Sequence, residues 1–303
     1  MFPSIEQIHA QCEVSALEER LLVSPEAPIV LLRKSTTGSQ SSAAAPGNPN
    51  LGVMLPSSPL HHLLLRQLNF PVVATSGNLS EEPICIDESE AIERLRGIAD
   101  GLLVHNRPIV RHVDDSILRV LHGREMMLRR ARGYAPLPVT LERSLPAILA
   151  LGAHLKNTVA LSVARNVFVS QHIGDLATRQ AYDAFTQSAA DLPRLYDAEP
   201  ELIAHDLHPE YLSTKHALQQ PARAVAVQHH WAHIASCMRR DVPWDRIVGG
   251  ALPFLITRQI FAGAGKMGIE AEGAASQPGT YQISQRADFF SVLVSIDTMS
   301  TRG

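Results

Sequence analysis

At 303 residues and 45% apolar content, the chain is too long for one ordinary domain and too apolar for a disordered one. Two domains, each with a core, are expected. A formal net charge of −3 excludes a global basic field, so neither nucleic acid nor an anionic membrane is an expected partner.

The cysteines Cys12, Cys85 and Cys237 lie far apart without CxxC spacing. That argues against a disulfide framework or zinc ribbon and fits a reducing cytosol. The start MFPSIEQIHAQ has no signal-peptide pattern, and no apolar run reaches membrane-spanning length. A cytoplasmic protein is expected.

Residues 4–22 read as one helix, and Ala27–Leu32 as a short buried strand. Ser35–Asn50 is a loop of small residues. Pro59 after Ser58 opens a helix with an apolar face of Leu60, Leu63, Leu64, Leu65 and Leu68. His61 and His62 are adjacent there, point apart and read as structural. A strand over 71–75 empties into the polar turn Ser76-Gly77-Asn78. Asp87 and Glu90 start a helix with Ala91, Ile92, Leu95 and Ile98 inward, and Gly101–His105 is a further strand. Asp115–Leu121 and Arg124–Leu128 form a hairpin turning at His122-Gly123.

The second domain opens near Pro146 with the strand Ile148–Leu151, broken by Gly152. Thr158–Val163 and Val167–His172 form a hairpin with Asn166 at its turn. A helix over 178–190, a strand at Leu202–Ala204, a helix over 211–218 and a strand over 222–227 follow. The last strand runs into the helix start HHWAHIASCMRR, and from about Asp241 the apolar periodicity dissolves.

Four groupings carry chemistry. Ser76 and Asn78 at a strand end, with Ser116 and Arg107, Arg111, Arg129, Arg130 and Arg132, suit a nucleotide or acyl-phosphate; the alternative is a loop with solvated arginines. Asp114 and Asp115 either hold Mg²⁺ or form an acidic turn balancing those arginines. Gly152, Lys156 and Asn157 follow a buried strand, where a glycine lets phosphate approach the backbone, though the GxxxxGK[ST] spacing is absent. His229 and His233 share a helix face, as either a two-ligand metal half-site or helix-start histidines in ordinary hydrogen bonds. Asp206 or His208 are candidate third ligands, and Cys237 reads as buried and inert.

The strings GVMLPSSPLHHLLL, VVATSGNLSEEPICID, HNRPIVRHVDDSILRV and LRRARGYAP resemble the YrdC-like domain of the HypF carbamoyltransferases. LALGAHLKNTVAL, SQHIGDLATRQAYDAF, HDLHPEYLSTKHA and VQHHWAHIASCM resemble the start of that family's carbamoyltransferase domain. The likeness implies an α/β protein: a YrdC-like mixed domain over 1–143, lacking its N-terminal strand, and the first lobe of an actin/hexokinase-type (ASKHA) domain over 146–240. Residues 241–303 are left as an unassigned tail.

The resemblance further implies use of carbamoyl phosphate, ATP and Mg, and transfer through a carbamoyl adenylate to the C-terminal cysteine of a HypE-like partner in nickel–iron hydrogenase maturation. It makes Ser76, Asn78 and Ser116 nucleotide contacts, the five arginines phosphate clamps, and His229 and His233 ligands of a divalent metal, Zn or Fe. Departures are Ser57-Ser58 for Tyr-Thr, His154 for Glu, and Trp231 inside the histidine run. The family's acylphosphatase and zinc-finger segments do not precede Met1, and the Asp-Gly-Thr-Gly segment expected after His233 is missing. IEAEGAAS…SVLVSIDT faintly resembles a stretch near the family's C-terminus. The expectation is a chain that at best binds nucleotide in part and does not complete transfer. A tRNA threonylcarbamoylation enzyme, which shares both domain types, and a non-catalytic nucleotide-binding remnant are the alternatives.

Overall fold

The structure is a computed structural model that describes residues 1–35, 45–80 and 82–237. The expected tail at 241–303 lies outside them, as does the side chain of Cys237. The chain divides into two compact units, Met1–Leu137 and Pro138–Gly303.

In the first unit the single helix expected over 4–22 is two helices, α1 (Ile5–His9) and α2 (Ala16–Leu22), split by the strand β1 (Cys12–Glu13). Ser15 explains the break. Its hydroxyl accepts from the Glu18 amide while Glu18 reaches back to the Ser15 N–H at 2.8 Å, a capping box that restarts the helix. β1 runs antiparallel to β2 (Ile29–Lys34), which also pairs antiparallel with β3 (Asn50–Val53) and parallel with β4 (Ile117–Leu121). β5 (Arg124–Arg129) completes the sheet as the second arm of the expected hairpin. Its turn residues His122 and Gly123 take φ of 51° and 70°, the left-handed pair that a two-residue loop requires. Phe2, Ile8, Leu21, Leu22, Val30, Leu32 and Val53 form the core.

Between β3 and β4 the expectations fail in part. Helix α3 (Pro59–Leu68) starts as read, with Ser58 accepting from the His61 amide, and ends at Asn69 in the left-handed region. Of its five leucines only Leu65 is buried, while Leu60, Leu63 and Leu64 face solvent. Helix α4 (Glu88–Arg94) is capped by Asp87 as read but buries no residue. Neither 71–75 nor 101–105 forms a strand. The physical reason is the sheet order, β1-β2-β4-β5 with β3 on β2, in which neither segment has a neighbouring strand to satisfy its amides. The backbone of Val72 pairs instead with Met1 (2.7 and 3.0 Å).

The second unit follows its sequence from Ile148 on, and adds before it a strand over 138–145 that was not expected. Its sheet order is β10-β9-β7-β8-β6, with β6 (Pro138–Leu145), β7 (Ile148–Ala150), β8 (Ala160–Val169), β9 (Leu202–Asp206) and β10 (Arg223–Val227). β7, β9 and β10 are parallel; β8 is antiparallel to β7 and β6. Val159 and Ser170, which flank β8, bond to each other (Ser170 N to Val159 O, 2.8 Å), so β8 doubles back on itself as the expected hairpin. The turn is at Ala164 (φ 52°) and not Asn166, whose Oδ1 accepts from Thr140. Helix α5 (Arg179–Leu195), capped by Thr178, lays Ala181, Phe185, Ala189 and Leu192 onto the core with Leu151, Leu161 and Leu176. Helices α6 (Leu212–Ala217) and α7 (His229–Cys237) follow β9 and β10. No helix among the described residues is long and apolar enough to cross a membrane.

Candidate nucleotide and metal sites

In the first unit the anion-site candidates divide into those that build the backbone and those that face solvent. Ser116 is fully buried; its hydroxyl donates to the Arg132 carbonyl (2.9 Å) and accepts from the Ala131 amide (2.8 Å). It stitches β4 to the chain after β5 and has no surface to offer a nucleotide. Arg132 is also structural: Nε and Nη2 meet Asp115 Oδ1 at 2.9 and 2.8 Å, and Nη2 reaches the Ala27 carbonyl. The adjacent Gly133 (φ 86°) lies so close to Glu26 that a Cβ would sit 2.5 Å from its carbonyl oxygen. Asn78 folds its own turn, its Nδ2 donating to the Leu79 and Glu82 carbonyls, and leaves its buried Oδ1 without a partner.

Ser76 and Arg107 are exposed, Arg111 and Arg129 half-buried, and Arg130 donates to the Leu137 carbonyl (2.6 Å). Asp115 pairs with Arg132 and Asp114 with Arg129 (3.6 Å). The two aspartates therefore balance arginines and do not fit a Mg²⁺ site. The sequence showed the residue types; it could not show which of them the backbone consumes.

In the second unit Gly152 (φ 64°) closes β7 with a backbone no side chain would tolerate, since a Cβ would lie 2.7 Å from the Thr158 carbonyl oxygen. Asn157 is buried and spans this loop, donating to the carbonyls of Leu151 (2.9 Å) and Ala153 (2.6 Å). Asp175 accepts from the Lys156 amide at 2.6 Å, leaving the Lys156 side chain on the exposed side. Gly152 and Asn157 shape the loop, and Lys156 supplies its charge. A stack of rings beside it escaped the sequence reading: His154 on Tyr211 (centroids 5.5 Å) and Tyr211 on His208 (4.3 Å).

The parallel pairing of β9 and β10 sets Asp206 opposite Val227 and so brings Asp206 beside the start of α7. Its Oδ2 lies 2.7 Å from His229 Nδ1, and its Oδ1 accepts from the His208 amide at 2.9 Å. His229 and His233 lie with ring centroids 5.0 Å apart, edge to face. Burial, then the neighbouring His229 and His230, hold the His233 imidazole below its ordinary pKa, so it stays neutral and able to ligate a cation. Among the described residues no group of three or more His, Cys, Asp or Glu gathers as a metal site, so neither Asp206 nor His208 completes one. Asp206 holds His229, and the His208 ring stacks on Tyr211. As donors the two imidazoles fit half of a site for Zn or Fe.

Comparison with known proteins divides the chain into three. Residues 1–131 match the family described as telomere recombination, and residues 143–240 the HypF Kae1-like domain. Residues 208–303 match the Pup-ligase protein family. Carbamoyltransferase HypF of Synechocystis sp. is 49% identical over 239 residues, which are 78% of this chain and 31% of that protein. HypF2 of Cupriavidus necator is 40% identical over 262 residues, 79% of this chain and 32% of that protein. The chain thus spans about a third of the length of the curated relatives it matches. A crystal structure of full-length HypF in its phosphate- and nucleotide-bound form superposes with a TM-score of 0.74 at 45% identity, covering 79% of this chain and 38% of that one. A depupylase of Acidothermus cellulolyticus is 46% identical over 65 residues, 22% of this chain and 12% of that protein. The tail, read from sequence as faintly like the HypF C-terminus, lies within the Pup-ligase match. Over residues 1–131 and 143–240 the chain is thus homologous to the part of the HypF carbamoyltransferases that holds their YrdC-like unit and the start of their Kae1-like unit.

Proposed function

We infer that this chain carries part of the HypF reaction of hydrogenase maturation: carbamate, which hydrolysis of carbamoyl phosphate supplies with release of phosphate, attacks the α-phosphate of ATP to give carbamoyl adenylate and pyrophosphate. The acceptor in the complete reaction is the C-terminal cysteine of a HypE-like protein. The observation that carries this reading is similarity to HypF over residues 1–131 and 143–240, with His229 and His233 side by side after β10 in support. In the first unit the exposed Ser76 and Arg107, with Arg111, Arg129 and Arg130, bind and orient the phosphates, while Asn78, Ser116 and Arg132 hold the backbone that presents them. In the second, Lys156 on the Gly152 loop draws in an anion, and His229 and His233 would hold a divalent Zn or Fe ion. Such an ion acts as a Lewis acid, polarising a carbonyl or phosphoryl oxygen.

We also infer that this chain alone does not complete the transfer to HypE. In support, similarity to HypF gives way after residue 240 to a Pup-ligase match that already begins at 208. Incubation of the chain with ammonium carbamate, MgATP and HypE, with pyrophosphate assayed and HypE weighed as the intact protein, tests both parts. Nucleotide-dependent release of pyrophosphate without a carbamoyl mass increment on HypE is the expected outcome. A carbamoylated HypE contradicts the second part, and no reaction of ATP at all contradicts the first.

A further inference from the structure

Asp206 was read from sequence as a third metal ligand, and its surroundings suit another task. Its side chain is 5% exposed, and both carboxylate oxygens are spoken for within the fold. Oδ1 accepts from the His208 amide (2.9 Å) and Oδ2 faces His229 Nδ1 (2.7 Å). The backbone around it is fastened as well: its carbonyl accepts from Thr214 Oγ1 (2.9 Å) and lies 2.7 Å from His205 Nδ1. β9 lies between β7 and β10, so Asp206 sits on an interior strand, and Leu207 N bonds to Val227 O (3.0 Å) directly before α7. An ionised carboxylate only accepts hydrogen bonds. The His229 nitrogen that faces it therefore carries the ring proton, and the lone pair is left on Nε2.

We propose that Asp206 is a positioning residue: it fixes His229 as the Nδ1–H tautomer and aims Nε2 toward the face shared with His233. This rests on the metal reading above for its purpose, but the tautomer itself is a property of the chain without metal. A carboxylate on the far nitrogen of a ligating imidazole locks the ring and raises its basicity, and removing it typically costs a factor of about 10–100 in metal affinity.

The test is NMR of the full chain with 15N-labelled histidine at about pH 8, where imidazoles are neutral. His229 is assigned by the signals lost in His229→Gln. The expected wild-type spectrum shows His229 protonated on Nδ1, and that proton persists when Zn²⁺ is added and the Nε2 signal shifts. Asp206→Asn, whose single oxygen is taken by the His208 amide, turns its NH2 on His229 Nδ1 and reverses the tautomer; Asp206→Ala leaves the tautomer unfixed and binds Zn²⁺ about 10–100-fold more weakly. An Nε2–H tautomer in the wild type overturns the proposal. So does loss of the Nδ1 proton on Zn²⁺ addition, or equal Zn²⁺ affinity in wild type and Asp206→Ala. The expected tautomer with no Zn²⁺ response at either ring upholds the role of Asp206 in fixing His229 and overturns the metal reading alone.

Discussion

Two stretches rich in leucine, isoleucine and valine meet different fates in the two units. Residues 59–113 of the first carry Val73, Leu103 and Val110 at 83%, 80% and 78% exposure. Residues 149–203 of the second bury Leu151, Leu161, Leu176 and Phe185 completely. The difference is not one of composition. In the second unit every apolar strand has a hydrogen-bonded neighbour and α5 covers the sheet; in the first, the chain between β3 and β4 adds no strand to its sheet. An apolar run becomes a buried strand only when a neighbour takes up its amides.

The contrast is broken most sharply by truncating side chains. Phe185→Ala is expected to cost about 3–5 kcal/mol in denaturant unfolding of the second unit. Leu103→Ala is expected to change stability by no more than about 0.5 kcal/mol. A large cost at Leu103 would mean that 101–105 is packed after all. Next in size come the two glycines at close approaches, one per unit. Gly133→Ala and Gly152→Ala each force a left-handed residue against a backbone carbonyl and should cost about 1–3 kcal/mol or more. Equal losses would show that the first unit is well determined around β4 and β5 even though its middle is exposed. Ser116→Ala, which strands the buried Ala131 amide, should cost about 1–3 kcal/mol of stability. A variant of unchanged stability but lost ATP binding would return Ser116 to the nucleotide site.

The smallest effect is on acid stability. Burial holds the imidazoles of His112 and His216 below their ordinary 6.5. As pH falls below that value the unfolded chain takes up protons that the folded chain refuses. Stability is therefore full above about pH 6.5 and is lost as pH falls toward the folded-state values. His216→Gln should flatten this acid limb in the second unit and His112→Gln in the first, measured as denaturation midpoint against pH. An unchanged slope in either variant would contradict the assigned burial.

The second unit was legible for most of its elements, but β6 (Pro138–Leu145) was not read and the unit was placed as opening near Pro146. Its helix α5 carries the cap Thr178, and its hairpin was misread in placing the turn at Asn166 when Ala164 makes it. In the first unit the signals that rest on local chemistry held: Ser58, Asp87 and the His122-Gly123 turn. Those that rest on partners far along the chain did not. Periodicity could not reveal that 71–75 lies outside the sheet; the Ser15–Glu18 capping box that divides the first helix is by contrast a local signal that the reading passed over. The site shows the same division. His229 and His233 share a face because helical spacing says so, whereas the assignment of Asp206 to His229 depends on the register of β9 against β10. The commitment of Ser116 and Arg132 to backbone likewise needs the fold, because their partners lie 15 to 106 residues away.

Hydrogen exchange followed by mass spectrometry, with and without MgATP and carbamoyl phosphate, tests the central claim most directly: that the first unit receives the nucleotide on its exposed loops. Without ligand, amides in 70–75 and 101–113 should exchange fast while β7, β8 and β9 stay protected. With ligand, protection should rise over the turn at Ser76–Asn78 and over the stretch holding Arg107 and Arg111. Protection confined to the second unit, or none in either, would contradict the account.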